Sequence, residues 1–539
     1  MTSLSHRLKK VGSSFSWNVN EAQIFIEQLN QLPRSKKATY DRNIRCLAGT
    51  RKLIINQIYE WIDSKENGNN VFWLCGPPGS GKSTVASEVA VSLDTREDGL
   101  EQLGLGDLGA TFFCKRNDNT LNQPSLVFST IAFRLAHVYP PLKRPILTAL
   151  DRNPDAGEMP TKNQFENLIV DPLSSLPADL DVPPIVVIVD ALDECGDEDI
   201  REPLLECLAR ISRLPIWFKV LVTSRPERDI RKYLGQLANV HEVNTSGEDS
   251  TSDIRAYTED QVTTLRRDRQ LGSDWPGSEK INELVSHAGG LFIWTRLSFD
   301  FIARQPSPKK ALNLVLAPTD RGRLDALYRT VLIENLVEAE QMELICSVLG
   351  CVVTAKIPLT LSCLCAFLAL LDIEKEEVEW AVGKLASVIP MDSSSVVHVI
   401  HPSFLDFLTD RKRSKEFFID AVEQNLLFAR ATLQIMDSKL HTNICHLTNP
   451  SLLNREISDL STRLASHVPE ELSYSCQFWT EHLKGSSNKD PDLCQLFDDF
   501  VRNHFFHWLE VMSLMGEASN AVVATHNAKS WLSVSDIFD

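Results

Sequence analysis

The stretch WLCGPPGSGKST, Trp73 to Thr84, decides how this chain is read. The bulky run Val71 to Cys75 leads into it and suits a buried strand, while Val85, Val89 and Leu93 follow at helical spacing. Strand, glycine loop and helix come in the order in which backbone N–H groups can curl around phosphate oxygens. The spacing is Gly76, four residues, Gly81, Lys82 and Ser83. In such a loop Lys82 reaches the β- and γ-phosphates and the Ser83 hydroxyl serves Mg2+. Pro77, Pro78, Gly79, Ser80 and Thr84 complete the cradle, and the helix N-terminus adds unpaired donors and a favourable dipole. ATP or ADP is the expected nucleotide, with GTP left open and Mg2+ as its companion.

A second apolar run, Ile185 to Val189, ends in Asp190. A strand of that kind is buried on both faces and delivers its last carboxylate to the C-terminal edge of a parallel sheet, where nucleotides bind. Asp190 is therefore the expected metal ligand beside Ser83. Asp193 and Glu194 follow at once, and a carboxylate just past the metal ligand is placed to orient or deprotonate water; Glu194 is preferred over Asp193. An acidic cluster serving only a helix dipole is the plainer alternative. The run Phe218 to Val222 ends in Thr223, Ser224 and Arg225 at the same edge, where an arginine can sense a γ-phosphate or simply form a surface ion pair. Runs at 110–114 and 240–243, with helical patterns between, complete a three-layer α/β domain with a parallel sheet.

At 539 residues the chain is too long for one core, so several packed units are expected. A formal net charge of -17 opposes a generic phosphate-backbone binder, so nucleic acid is not the expected partner. The apolar segment Leu344 to Leu371 is interrupted by Lys356 and Pro358, which makes it two core helices rather than a membrane span. The first residues lack the apolar core of a secretory signal, and the twelve scattered cysteines, as in LLECLA around Cys207, read as buried thiols. A cytoplasmic protein without structural zinc is expected.

The pattern VVIVDALDE resembles the NACHT class of signalling NTPases, part of the wider STAND group. Flanking segments RCLAGTRKLIINQIYEWI, FSTIAFRLA and LVTSRPE follow in the order seen in fungal NACHT proteins, including the nephrocystin-like subgroup. The resemblance implies that Thr50 and Arg51 lie on the adenine and ribose side. Downstream, LVSHAGGLFIWTRLSFDFI is similar to the family's helical-domain segment that faces the adenine, with Phe292 where many relatives carry proline. VVHVIHPSFLDFLTD resembles the winged-helix stretch whose histidine touches the β-phosphate of ADP; His401 is the matching position.

Five segments are expected: an N-terminal helical lead over 1–45, modestly basic through Lys9, Lys10, Arg34, Lys36 and Lys37 and with one amphipathic helix VNEAQIFIEQL; a NACHT domain over 46–245; a helical domain over 246–330; a winged-helix-like domain over 331–415; and an all-α helical linker over 416–539. No self-similar repeat of propeller, ankyrin or TPR length is present. The resemblance implies a slowly hydrolysing switch that is closed with ADP and open and self-associating with ATP, in fungi linked to non-self recognition and programmed cell death. Its rivals are an ATPase whose steady turnover is the output and a non-hydrolysing scaffold stabilised by nucleotide.

Overall fold

The computed structural model describes residues 29–65, 70–94, 106–116, 118–176, 183–235, 239–245, 249–317, 323–334, 339–449, 451–487 and 490–533. The basic positions Lys9 and Lys10, and all but the last residue of the expected helix at 19–29, lie outside them. The chain divides into two compact units, residues 1–256 and 257–539.

The first unit is built on five parallel strands in the order β2-β3-β4-β1-β5. They are β1 (Val71–Cys75), β2 (Asp107–Phe113), β3 (Ile185–Asp190), β4 (Phe218–Ser224) and β5 (Val240–Asn244). Alternation along a strand sends successive side chains to opposite faces, so an apolar run feeds two cores at once. Trp73, Phe112, Val187, Val189, Val220 and Val222 enter one core. Phe72, Leu74, Val186, Ile188 and Leu221 enter the other.

Against the second face lie α1 (Lys52–Asp63) and α2 (Lys82–Asp94). In α1 the residues Ile58, Trp61 and Ile62 recur at three- and four-residue spacing and are buried. In α2, Val85, Ala86, Val89, Ala90 and Leu93 do the same. The first face is covered by α3 (Val127–Val138), α4 (Pro140–Arg152) and α5 (Glu198–Arg210). A helical run from Thr161 to Ser174, whose middle turn Glu166–Val170 is π-wound, packs there too. Two further helices, α6 (Arg228–Leu234) and α7 (Asp249–Asp268), follow β4 and β5. The result is a three-layer α/β domain of P-loop type.

Register fixes the functional edge. Leu74 and Cys75 of β1 pair with Thr223 and Ser224 of β4, and Val189 of β3 pairs with Val222. Cys75, Asp190 and Ser224 therefore end their strands together, and the loops that follow open on one side.

Among its described residues the second unit is all-helical apart from two isolated antiparallel bridges, Thr360–Val396 and Met391–Val397. The apolar segment Leu344–Leu371 falls in helices Ala339–Thr354 and Leu361–Leu368 with a break at Lys356–Pro358. No helix among the described residues is long and apolar enough to cross a membrane. Helices Ala421–Lys439 and Glu470–Gly485 meet closely because Gly485 has no side chain: a Cβ there would lie 2.7 Å from Asn425 Cγ. Between them His482 is bonded to Tyr474 (2.9 Å) and Asn425 (2.9 Å), and its ring stacks 4.6 Å from Phe428. The chain turns at His504 between the helices Pro491–Asn503 and Phe505–Leu514. That turn brings both Phe500 and Trp508 against Trp479, at centroid distances of 4.9 and 5.7 Å.

Candidate functional site

The loop from Gly76 to Gly81 joins β1 to α2, whose first turn carries Lys82, Ser83 and Thr84. Two of its glycines, Gly79 (φ 78°) and Gly81 (φ 88°), hold backbone conformations that side chains resist. Gly76 is required for a different reason: a Cβ would lie 1.9 Å from Thr245 Oγ1. That hydroxyl is committed to Ser80 Oγ at 2.7 Å, and the Thr245 N–H donates to the Cys75 carbonyl at 2.9 Å. The end of β5 thus supports the loop from below.

Arg51 supports it as well. The residue is buried, sits at φ 56° just ahead of α1, and donates to the Ser80 carbonyl (2.6 Å) and the Thr245 carbonyl (3.4 Å). Asp253 of α7 accepts from the Arg51 backbone N–H at 3.1 Å and faces its guanidinium at 3.9 Å. Thr50 beside it is buried and donates to the Leu47 carbonyl.

Lys82 curls over the loop, with Nζ donating to the carbonyls of Gly76 and Pro77, both at 2.9 Å. Burial pushes its pKa down, while the nearby Asp193 and Asp190 carboxylates oppose the shift. Two carbonyls are weak partners for a buried ammonium, which is suited to anionic oxygens.

The acidic edge is organised around Asp190. Thr223 Oγ1 donates to its Oδ1 at 2.5 Å and accepts from the Ala191 N–H at 2.9 Å; Ser83 is also hydrogen-bonded to the carboxylate. Burial pushes the Asp190 pKa up, and these hydroxyls pull against it. Asp193 accepts from the Arg225 N–H at 2.9 Å and pairs with its Nε at 3.1 Å. Glu194 Oε2 accepts from the Arg116 N–H at 3.1 Å. Burial first, and the Asp193 charge second, raise the Glu194 carboxyl to about 7.

A serine hydroxyl and a carboxylate meeting beside a phosphate-type loop form a hard-oxygen donor set that fits Mg2+. No group of three or more His, Cys, Asp or Glu side chains is arranged for a metal among the described residues. Mg2+ needs none, because it binds through one or two protein ligands plus phosphate oxygens.

One edge of the first unit therefore gathers Gly76, Pro77, Pro78, Gly79, Ser80, Gly81, Lys82, Ser83, Thr84, Asp190, Asp193, Glu194 and Arg225, with Arg51 bonded behind the loop. His401 belongs to the second unit, where it caps the helix Pro402–Leu408. Its Nδ1 accepts from the Ser403 N–H at 3.1 Å, which leaves the neutral ring protonated at Nε2. Phe292 begins the helix Phe292–Arg304 and sets its ring 5.4 Å from Tyr257.

Thr245, Asp253 and Arg201 escape a sequence reading although all three bear on the site. Thr245 and Asp253 act across some 200 residues, with no local pattern to reveal them. Arg201 leaves a trace: with Leu204, Leu205 and Leu208 it completes a buried i, i+3, i+4, i+7 stripe on α5. A cation on an apolar stripe marks a buried partner set.

Residues 49–225 match the family described as Nephrocystin 3, N-terminal. Among solved structures, the Walker-type ATPase PABY2304 of Pyrococcus abyssi is similar at 13% identity and a TM-score of 0.28, over 70% of this chain and 99% of that one. No curated protein matches the chain. The family match and the loop, strand and carboxylate geometry it covers support a nucleotide-binding P-loop NTPase domain in this region.

Proposed function

We propose that this protein is a nucleotide-controlled switch that hydrolyses ATP slowly. The carrying observation is the meeting of Lys82, Ser83, Asp190 and the Asp193–Arg225 pair at the C-terminal edge of one parallel sheet. Backbone N–H groups of Gly79 to Thr84 receive the phosphates, and Lys82 exchanges its two carbonyl partners for phosphate oxygens. Mg2+, when bound, neutralises charge developing between the β- and γ-phosphoryl groups, and Ser83 and Asp190 would hold it. Arg225 leaves Asp193 for the γ-phosphate and so distinguishes ATP from ADP. Glu194, with a carboxyl near pH 7 in affinity, accepts a proton from the attacking water or orients it.

Residues 246–330, 331–415 and 416–539 act in this reading as the helical, winged-helix-like and linker segments that move with the nucleotide state. By the family resemblance, His401 is the residue proposed to sense ADP. Exchange for ATP opens the protein and favours self-association, because a ligand shifts only an equilibrium whose two states it binds unequally.

The test is to denature freshly purified protein and identify retained nucleotide by anion exchange, alongside calorimetry of Lys82→Ala. Near-stoichiometric ADP, lost in the variant, supports the switch. Unchanged affinity in Lys82→Ala refutes the site. An empty site with rapid steady ATP turnover replaces the switch with an enzyme whose cycling is the output.

A further inference from the structure

Arg201 is 2% exposed and its guanidinium is fully engaged with two separate chain segments. Nη1 donates to the carbonyls of Asp193 (2.9 Å) and Gly196 (3.2 Å) in the acidic loop after β3. Nε donates to Asp229 Oδ2 (2.9 Å) and Nη2 to Glu227 Oε2 (2.9 Å), both in the segment after β4. Burial works against its charge, but the Asp229 and Glu227 carboxylates outweigh that and hold it protonated.

The two loops so joined are the ones that carry Asp193, Glu194 and Arg225. They are fastened twice. In front, Arg225 pairs with Asp193. Behind, the planar Arg201 fork holds backbone carbonyls on one loop and carboxylates on the other, a geometry that leaves it little freedom. Only the front fastening involves a group that a γ-phosphate would claim.

We infer that Arg201 is a positioning residue for hydrolysis: it keeps the Asp193–Glu194 turn in register with Arg225 once Arg225 turns from Asp193 to phosphate. This rests on the P-loop NTPase reading above. It requires that loss of the fork slow the chemical step and leave the ground-state binding of ADP alone, since ADP brings no γ-phosphate to draw Arg225 away.

The experiment compares wild type, Arg201→Lys and Glu227→Ala in the full chain. Calorimetry gives the number of ADP sites per chain and their Kd; steady-state kinetics gives kcat per site and KM for Mg-ATP. Arg201→Lys keeps the charge but replaces the fork by a single ammonium. With ADP sites and Kd unchanged, kcat per site should fall on the order of 10- to 100-fold, as expected for a small misplacement of reacting groups. Fewer sites with wild-type kcat in each would mean that Arg201 serves folding only, and would overturn the inference. Should Arg201→Lys not fold, Glu227→Ala decides, because it removes one acceptor at a half-buried position and leaves the guanidinium in place. A severalfold lower kcat at constant KM supports the inference, and a wild-type kcat overturns it. If the wild-type chain binds no nucleotide, the parent reading fails first, and visibly so.

Discussion

Glu194→Gln should stabilise the nucleotide domain at high pH and cripple it as a hydrolase. Burial and the Asp193 charge raise the Glu194 carboxyl from 4.5 to about 7. The folded value lies above the unfolded one, so between them the folded domain binds more protons. Ionised Glu194 then costs stability, and the cost is absent below pH 4.5 and complete above about 7. At about 1.36 kcal/mol per unit the full cost is about 3 kcal/mol. Glutamine removes the charge, keeps the shape and still accepts the Arg116 N–H. The variant should exceed wild type by about 3 kcal/mol at pH 8, and the difference should shrink to about 1 kcal/mol at pH 5. Hydrogen exchange of peptides from β3 and the acidic loop, compared between the two proteins at each pH, reads this locally without assuming that both units unfold together. ATP should stay bound to the variant and turn over more slowly. A stability difference that is the same at both pH values would refute the account of Glu194 as a carboxylate held against burial and Asp193.

Gly76→Ala drives a Cβ into Thr245 Oγ1; overpacking of about 1–3 kcal/mol predicts roughly tenfold weaker ADP binding by calorimetry. Adding Thr245→Gly should recover part of it, and no recovery would exclude this contact as the cause. Thr223→Val is close to isosteric but leaves Asp190 Oδ1 and the Ala191 N–H each short of a partner. Exchange protection of β3 should fall by about 1–3 kcal/mol, and unaltered protection would discount the bridge. In the second unit burial holds the His482 pKa well below 6.5, so the folded form binds fewer protons than the unfolded one. The stability present above about pH 6.5 is lost progressively as the pH falls below it. His482→Gln should flatten that slope in exchange measurements over 470–485; an unchanged slope would place the titration elsewhere.

The strands β1 and β3 are plain in the sequence because each is a short, wholly apolar run with sharp ends. β2 is longer than its apolar run at 110–114 suggests: it begins at Asp107 and passes through Gly109. Those residues are poor strand formers, and parallel pairing with Ile185 and Val186 draws them in, with an irregularity between Leu108 and Ala110. The glycine loop and the terminal carboxylates are legible because their chemistry is local. The bracing is not. Arg51, Thr245, Asp253 and Arg201 act through contacts between distant segments, and only Arg201 leaves a periodic mark.

The strand order has a consequence for synthesis. β1, which carries the phosphate loop, lies between β4 and β5, and roughly 140 residues separate it from the nearer of them in sequence. At about 5–20 residues per second, the ribosome needs about 7–30 s to deliver the first neighbour of VFWLC. Throughout that interval an apolar strand with both edges open is exposed to other nascent chains, a state that favours aggregation and chaperone capture. Ribosome pausing downstream of β1 should therefore lower the yield of folded protein more than pausing downstream of β5, although both leave the amino-acid sequence unchanged.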